Sequence, residues 1–324
     1  MRVIPMVEIT INKIKDVDIP KLASFMFEAT KDTVFHEVNQ TIESIEQSLQ
    51  EMSSDENEIV MIASNGGEIV GALRVYIGFS EISFTATWHP IIYHGKTREK
   101  TAIELIQFAK EYVKGRGFTR FEVNLSPITK EHAKVYSEYK SWYEKAGFYR
   151  ATEEVLLQVN LENHLLPSTQ PSLPEGFRFE NIDNVPNEDI EEPFFTSFRN
   201  GRDRLFLDMT NDQQKVSFNY WFRRSRPFHR AAIIVMKDKE VVGFNLVRQD
   251  DDGAEVGPVG LIPKYHRKGI MKAVLHESLK RLQEDGIKIA HLEADKSNDP
   301  AISLYTKFGF EEMYTQQYFA WKVK

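Results

Sequence analysis

The sequence predicts an α/β protein, a mixed sheet flanked by helices, built twice in tandem. Three observations predict it. Apolar residues recur at strand spacing and helix spacing in alternation along the chain. A proline-rich stretch interrupts both patterns near the middle. Short patterns of the first half return in the second in the same order. A chain of 324 residues is long enough for two such domains.

The break covers residues 164–176, HLLPSTQPSLPEG, where Pro167, Pro171 and Pro174 interleave with Ser and Thr. Proline fixes φ and removes a backbone donor, so neither a helix interior nor a central strand passes through here. The expected organisation is a first domain over 1–166, a linker over 167–175 and a second domain over 176–324. Glu68-Ile69-Val70-Gly71 is answered by Glu240-Val241-Val242-Gly243, each after turn residues (Asn65-Gly66-Gly67 and Lys237-Asp238-Lys239). Phe121-Glu122-Val123-Asn124 corresponds to Leu292-Glu293-Ala294-Asp295. Tyr143, Lys145, Gly147 and Phe148 correspond to Tyr305, Lys307, Gly309 and Phe310. A polar interval then leads into Val155-Leu156-Leu157-Gln158-Val159 in one half and Tyr318-Phe319-Ala320-Trp321 in the other. Matches in one order, with drifting offsets, point to duplication followed by divergence in loops.

Within the second copy, periodicity predicts strands at 177–180, 231–236, 241–247, 255–261, 289–294 and 318–323. Helices are expected at 189–199, 212–223, 269–285 and 300–308, the third with Val274, Leu275, Leu279 and Leu282 at helical spacing. The strand–helix–strand passage over 255–294 requires a parallel crossover.

Composition narrows the class. Apolar residues are 41% and charged residues 27%, the balance of a globular protein. No run reaches the roughly 18 apolar residues of a membrane span, and MRVIPMVEIT lacks the features of a signal peptide. A cytoplasmic location without membrane partners is the expectation. Cysteine is absent, which excludes disulfides, thiolate metal sites and a cysteine nucleophile. A formal charge of −7 opposes a main role in gripping nucleic acid, and no nucleic-acid partner is expected.

The segment from Val256 to Met271 carries the chemistry. A strand ends, a basic loop follows, and Gly269 opens a helix. Helix amino termini present unpaired N–H groups and a positive dipole end, which suits a phosphate. Glycine there lets the backbone approach a ligand closely. His266, Arg267 and Lys268 add positive charge to an acidic chain. A solvated basic loop closing a βα unit has the same composition, so the loop alone leaves both readings open.

Downstream, Asn298, Ala301, Leu304, Tyr305, Lys307, Gly309 and Phe310 stand at the spacing Asn-x-x-Ala-x-x-Leu-Tyr-x-Lys-x-Gly-Phe. Together with the loop, this resembles the GNAT N-acetyltransferase family, whose cofactor loop reads Arg/Gln-x-x-Gly-x-Gly/Ala. His266 stands at the Arg/Gln place and Gly269 at the central glycine, while Met271 replaces the final small residue. The resemblance covers residues 174–324 and, more faintly, the first half; tandem members occur in the family. It implies two GNAT-like acyl-CoA N-acyltransferase domains and an acetyl group moved from acetyl-CoA to a primary amine by direct attack, without a metal. Val259, Gly260 and Leu261 would pair with the pantetheine arm as an added strand does. His266, Arg267, Lys268, Gly269, Ile270 and Met271 would surround the pyrophosphate, held by N–H groups from Arg267 to Met271. A strand N–H near Gly260 would polarise the thioester carbonyl.

Each candidate has a plainer reading beside it. Tyr305 would protonate the departing thiolate, or is a core aromatic of an amphipathic helix. Asn298 would touch the cofactor, or caps its helix ahead of Asp299 and Pro300. Glu255 would accept the amine proton, or is a solvated residue at a strand start. His276 is expected on a helix surface, and His291 and Glu293 in strand packing. Tyr220, Trp221 and Arg224 lie on a helix that could line the site of a small-molecule or peptide amine acceptor.

At the equivalent loop of the first copy Thr97 stands where Gly269 does, and a β-branched residue hinders close backbone approach. That copy is expected to have lost or weakened cofactor binding. Gly95-Lys96-Thr97 resembles the end of a nucleotide-binding loop, but Pro90 occupies the place of its first glycine. His89 and His94 lack a third ligand at metal spacing, so no metal is expected. Asp250-Asp251-Asp252-Gly253 reads as a hairpin turn rather than a calcium loop. Two further functions stay open at this level: transfer from an aminoacyl-tRNA, and a non-catalytic acyl-CoA sensor or partner-binding protein. Oligomeric state is not legible.

Overall fold

The computed structural model describes residues 7–31, 40–85, 89–93, 95, 97–128, 130, 133–162, 166, 171–223, 227–250 and 253–323. The chain forms two compact units, Met1–Ala151 with Gln317–Lys324, and Thr152–Gln316. The first contains β1 (Glu8–Lys13), α1 (Ile19–Thr30), α2 (Ile42–Met52), β2 (Glu58–Asn65), β3 (Glu68–Tyr76), β4 (Ile82–Thr85), β5 (Ile91–Ile92), α3 (Arg98–Gly115), β6 (Arg120–Ile128) and α4 (Ala133–Lys145). The Asp18 side chain caps α1 by accepting from the Lys21 N–H at 3.1 Å, and Thr41 and Ser44 form a capping box on α2. The expected turn between β2 and β3 is present. Gly66 and Gly67 sit at φ 62° and 85°, a two-residue geometry that residues with a Cβ resist. One core lies under α3 and α4 and includes Leu73, Leu105, Phe121 and Tyr143; another, under α1 and α2, includes Leu22, Phe25, Leu49 and Val60.

Strand β7 (Tyr149–Asn160) carries the chain into the second unit. There follow β8 (Phe177–Asn181), α5 (Asn187–Arg199), α6 (Arg204–Leu207), α7 (Asn211–Arg223), β9 (Ile233–Lys237), β10 (Glu240–Gln249), β11 (Ala254–Leu261), α8 (Ile270–Glu284), β12 (Ile289–Asp295), α9 (Asp299–Lys307) and β13 (Glu311–Lys322). The strand order in this unit is β7-β12-β11-β10-β9-β8, with β11 and β12 parallel as the crossover requires. Helix α8 lies on one face, where Asn245 Nδ2 donates to Ser278 Oγ at 2.9 Å. Helix α5 lies on the other, where Phe194 stacks on Phe244 at 5.5 Å. The short α6, capped by Asp203 accepting from the Phe206 N–H, spans too few residues for a periodicity to reveal it. β13 begins seven residues before the expected 318 because ladder bonds need no apolar side chains, and Glu311, Glu312 and Met313 are exposed. Among the described residues no helix is long and apolar enough to cross a membrane.

The units do not follow the expected cut at 1–166 and 176–324. Strand β7, from the first copy, pairs with β12 from Asn160↔Ile289 to Glu154↔Asp295, and buries Val155, Leu157 and Val159 in the second core. The end of β13, from the second copy, lies beside β6, with Phe319 in the first core and the Val323 N–H donating to the Thr119 carbonyl. Each copy therefore lends its last strand to the other unit. Of the expected linker, residues 167–170 lie outside the described residues, and 171–174 have no regular secondary structure.

Candidate active site

Strand β11 sets the geometry. It pairs with β12 only at Ala254↔Ala290 and Glu255↔His291, then parts from it. On its other side it follows β10 through Gly243↔Leu261, Phe244↔Gly260 and Asn245↔Val259, with a bulge before Val247↔Val256. The Ile262 N–H donates to the Val242 carbonyl at 2.9 Å. Antiparallel alternation then turns the backbone groups of residues 260 and 262 toward β10, and those of Val259 and Leu261 toward the gap left by β12. Gly260 thus serves packing: a Cβ there would stand 2.3 Å from the Phe244 ring. The N–H groups near Gly260 that face away from β10 are those of Val259 and Leu261.

The loop after β11 is tied back to it. His266 Nε2 donates to the Leu261 carbonyl at 2.8 Å, so this imidazole anchors the loop to the strand end. Arg267 at φ 61° and Gly269 at φ 76° give the turn its left-handed steps. A Cβ at Gly269 would meet nothing within 4 Å, so the space beside that backbone is open. Among the described residues, the N–H groups of Arg267, Lys268, Gly269, Ile270 and Met271 have no acceptor. Nor does a side chain cap α8 or an acidic residue occupy its first turn. Such a helix start attracts an anion. Ile270 is buried and Met271 packs against the cluster of Tyr265 and Val274, which leaves the Met271 N–H unobstructed by its own side chain. Lys264 and Lys268 hold their ammonium groups over the Tyr265 ring, at 5.3 and 5.1 Å.

Tyr305 is a core residue whose ring lies 5.9 Å from that of Phe310, and burial pushes its hydroxyl up to about 12. Tyr305 is 7% exposed, and among the described residues its hydroxyl has no hydrogen bond. Asn298 occupies the cap position of α9, its carbonyl accepting from Ala301 and Ile302 at 3.0 Å, while its side chain makes no capping bond. Glu255 lies opposite Arg248, which donates to the Trp221 carbonyl of α7. It therefore faces the side of the sheet that carries α5 and α7. Tyr220 is exposed; Arg224 lies outside the described residues, as do Asp251, Asp252, His94 and Lys96. His276, expected on a surface, is 6% exposed and packs against Phe308, because its turn of α8 faces the sheet.

Sequence reasoning missed a hub at Asp295. Its carboxylate accepts from Arg204 Nε and the Arg204 N–H, from Ser297 Oγ and N–H, and from Thr152 Oγ1 at 2.8 Å. Burial alone would raise its pKa, but these donors together hold it well below the usual carboxylate range. Its register neighbour Glu154 goes the other way. Burial first, then the charges of Asp203 and Glu293, push it well above that range against the Gln316 hydrogen bond. Thr152 and Glu154 belong to the first copy in sequence, so no local signal could place them here.

In the first copy aromatic rings gather at the corresponding tyrosine. His89 is buried with Nδ1 3.4 Å from the Tyr143 hydroxyl and its ring 5.0 Å from Tyr139; burial lowers its pKa to about 3. Tyr143, in the place of Tyr305, is fully buried. Thr97 precedes α3 at φ −99°. Among the described residues no three His, Asp or Glu side chains gather as metal ligands would.

In the second unit the central parallel strands part beside an uncapped helix start, a mixed α/β fold of transferase type. The sequence profile of the Acetyltransferase (GNAT) family matches residues 189–310. An N-alpha-acetyltransferase of Sulfurisphaera tokodaii is 30% identical over 113 residues, 31% of this chain and 68% of that one. The chain belongs to the GNAT acetyltransferase family. A mycothiol acetyltransferase of Saccharomonospora viridis is 26% identical over 191 residues, 55% of this chain and 59% of its own length. The chain thus spans less than two thirds of that relative. A solved tandem GNAT protein from the clavulanic acid biosynthesis pathway superposes over 98% of both chains, with a TM-score of 0.58 at 14% identity, a likeness of fold.

Proposed function

We propose that this chain moves an acetyl group from acetyl-CoA to a small-molecule or peptide primary amine by direct attack, with the second unit holding the cosubstrate. One observation carries the reading: the gap-facing N–H groups of Val259 and Leu261 and the Val259 carbonyl lead into the uncapped N–H groups from Arg267 to Met271. That run offers an extended arm a strand edge and then offers its phosphates an anion site. Acetyl-CoA supplies an acetyl group already activated as a thioester.

The chain's own residues divide the remaining work. An N–H of Val259 or Leu261 donates to the carbonyl oxygen as negative charge develops there. Glu255, on the α5 and α7 side, takes the proton of the attacking amine. Tyr305 stays protonated with its pKa near 12, and donates a hydrogen bond to the departing sulfur at any working pH. Asn298 keeps its amide available beside the α9 start. The test is thiol release from acetyl-CoA with a panel of small amines, amino acids, aminoglycosides and peptides. It is paired with the melting-temperature shift at saturating acetyl-CoA, where ligand at 100 times Kd stabilises by about 2.7 kcal/mol. No shift and no release with any amine would overturn the reading.

A further inference from the structure

Four polar side chains stand in one row across the second sheet. Arg248 of β10 is opposite Glu255 of β11, Glu255 is beside His291 of β12, and His291 is opposite Gln158 of β7. Residues paired in register share a face, so all four point to the side of α7, whose Trp221 carbonyl accepts from Arg248. Glu255 and His291 are also the last pair before β11 and β12 part. They stand at the vertex of the gap, and adjacent strands about 4.8 Å apart put the two side chains within reach directly or through one water.

His291 is itself held. Its Nε2 lies 2.8 Å from Asp250 Oδ2, and a carboxylate only accepts, so the ring proton sits on Nε2. Nδ1 then carries a lone pair. Among the described residues it has no hydrogen-bond partner, and the His291 side chain is 20% exposed. The Asp250 side chain is 31% exposed, which connects the pair to water. The charged groups on this face of the sheet include Arg248, Glu255 and, along β12 and its partner β7, Glu293, Asp295 with Arg204, and Glu154.

We propose that His291, oriented by Asp250, relays the proton that Glu255 removes from the acceptor amine. The step balances without a further reactant. The ammonium N–H breaks and its proton joins the Glu255 carboxylate. The carboxylic acid then gives that proton to His291 Nδ1, and the imidazolium, with Nε2–H still bonded to Asp250, releases it to water. An acid–imidazole–acid row of this kind leaves Glu255 ionised for the next turnover. His291 acts through Glu255 and is a positioning and relay residue. The inference rests on the acetyltransferase reading above.

The experiment measures kcat/KM against pH for the full-length wild type, His291→Gln, His291→Ala and Asp250→Asn, using the fastest amine of the panel. His291→Gln is expected to lower kcat about tenfold near neutral pH and to move the acid limb of the profile, with acetyl-CoA affinity unchanged. Added imidazole should restore His291→Ala, a response that a merely structural role would not produce. Asp250→Asn should lower kcat less, and nitrogen-15 spectra should lose the single Nε2–H tautomer that the wild type shows. Wild-type transfer with an unaltered His291→Gln profile, or an Nδ1–H tautomer in the wild type, overturns the relay alone. Absence of any transfer by the wild type overturns the parent reading, and the relay with it.

Discussion

In the first unit β4 pairs with β6 at four positions, from Ile82↔Arg120 to Thr85↔Val123, whereas in the second β11 pairs with β12 at two, Ala254↔Ala290 and Glu255↔His291. The helix that follows starts differently too, at Thr97 with φ −99° in one and at Gly269 with φ 76° in the other. The tyrosine that the two copies share has opposite surroundings. Tyr143 is fully buried against His89 and Phe148, while Tyr305 is 7% exposed and its hydroxyl has no hydrogen bond among the described residues. A shared framework motif therefore marks the fold in both copies, and the left-handed glycine at the helix start distinguishes the second. Packing aromatic rings around the shared tyrosine gains burial in the first.

The largest expected effect tests the strand exchange that underlies this contrast. Phe319→Ala should destabilise by about 3–5 kcal/mol. Hydrogen exchange should show the loss in β2, β3 and β6 of the first unit. A loss confined to β10 and β11 would break the assignment of that strand.

Next comes the tyrosine pair. Tyr305→Phe should lower kcat by about 100-fold, roughly 2.7 kcal/mol, with little change in acetyl-CoA affinity. Tyr143→Phe should leave transfer unchanged. Equal activity in both variants would remove Tyr305 from the mechanism.

Acid should then separate the units. His89 is held neutral, with its folded pKa depressed to about 3, so the unfolded state binds the extra proton. Its contribution to stability falls as pH drops below about 6.5, reaching a loss of about 2 kcal/mol by pH 5. In the second unit Glu154 has a raised folded pKa, so its contribution is fully present below about 4.3 and is lost as pH rises. His229, depressed by burial, offsets part of that gain. Asp295, depressed instead, loses its contribution only below about 3.9, under this window. Between pH 7 and pH 5, unfolding monitored unit by unit should weaken the first, and His89→Gln should flatten its slope. A slope unchanged by that substitution would discard His89 as its cause.

The smallest effect refines the glycine. Gly269→Ala meets no neighbour within 4 Å, so its folding cost is the left-handed φ, about 1–2 kcal/mol. Acetyl-CoA affinity should fall about tenfold in addition, read by calorimetry. The reverse change, Thr97→Gly, should create no affinity, because His89, Tyr139 and Tyr143 are packed together in the first copy. Binding gained by Thr97→Gly would show that the loop rather than this aromatic packing decides.

Much of this was legible in the sequence. The turn at Gly66 and Gly67, the helix opened by Gly269 and the packed Gly309-Phe310 ending are short-range features, each dictated by residues within a turn of one another. The candidate set from Val259 to Met271 lies on one continuous strand, loop and helix start, so spacing alone assembles it. What spacing could not show is which backbone groups face the gap. Register shifted the roles within that set: Gly260 to packing against Phe244, and His266 to a tie on the Leu261 carbonyl. Asp295 and Glu154 meet across the β7–β12 ladder from positions far apart in sequence, and nothing local to either predicts the other.

By itself the sequence determined the two copies, the element order of the second apart from α6, and the copy whose loop composition suits an anion, because those follow from local periodicity, turn chemistry and one glycine. The tertiary structure alone decided where each terminal strand resides. Val155-Leu156-Leu157-Gln158-Val159 and Tyr318-Phe319-Ala320-Trp321 carry interchangeable apolar stretches, and strand pairing depends on the edge available rather than on the copy of origin. The partner edge of β12 took β7, and that of β6 took β13, so each compact unit is completed by the other copy's chain.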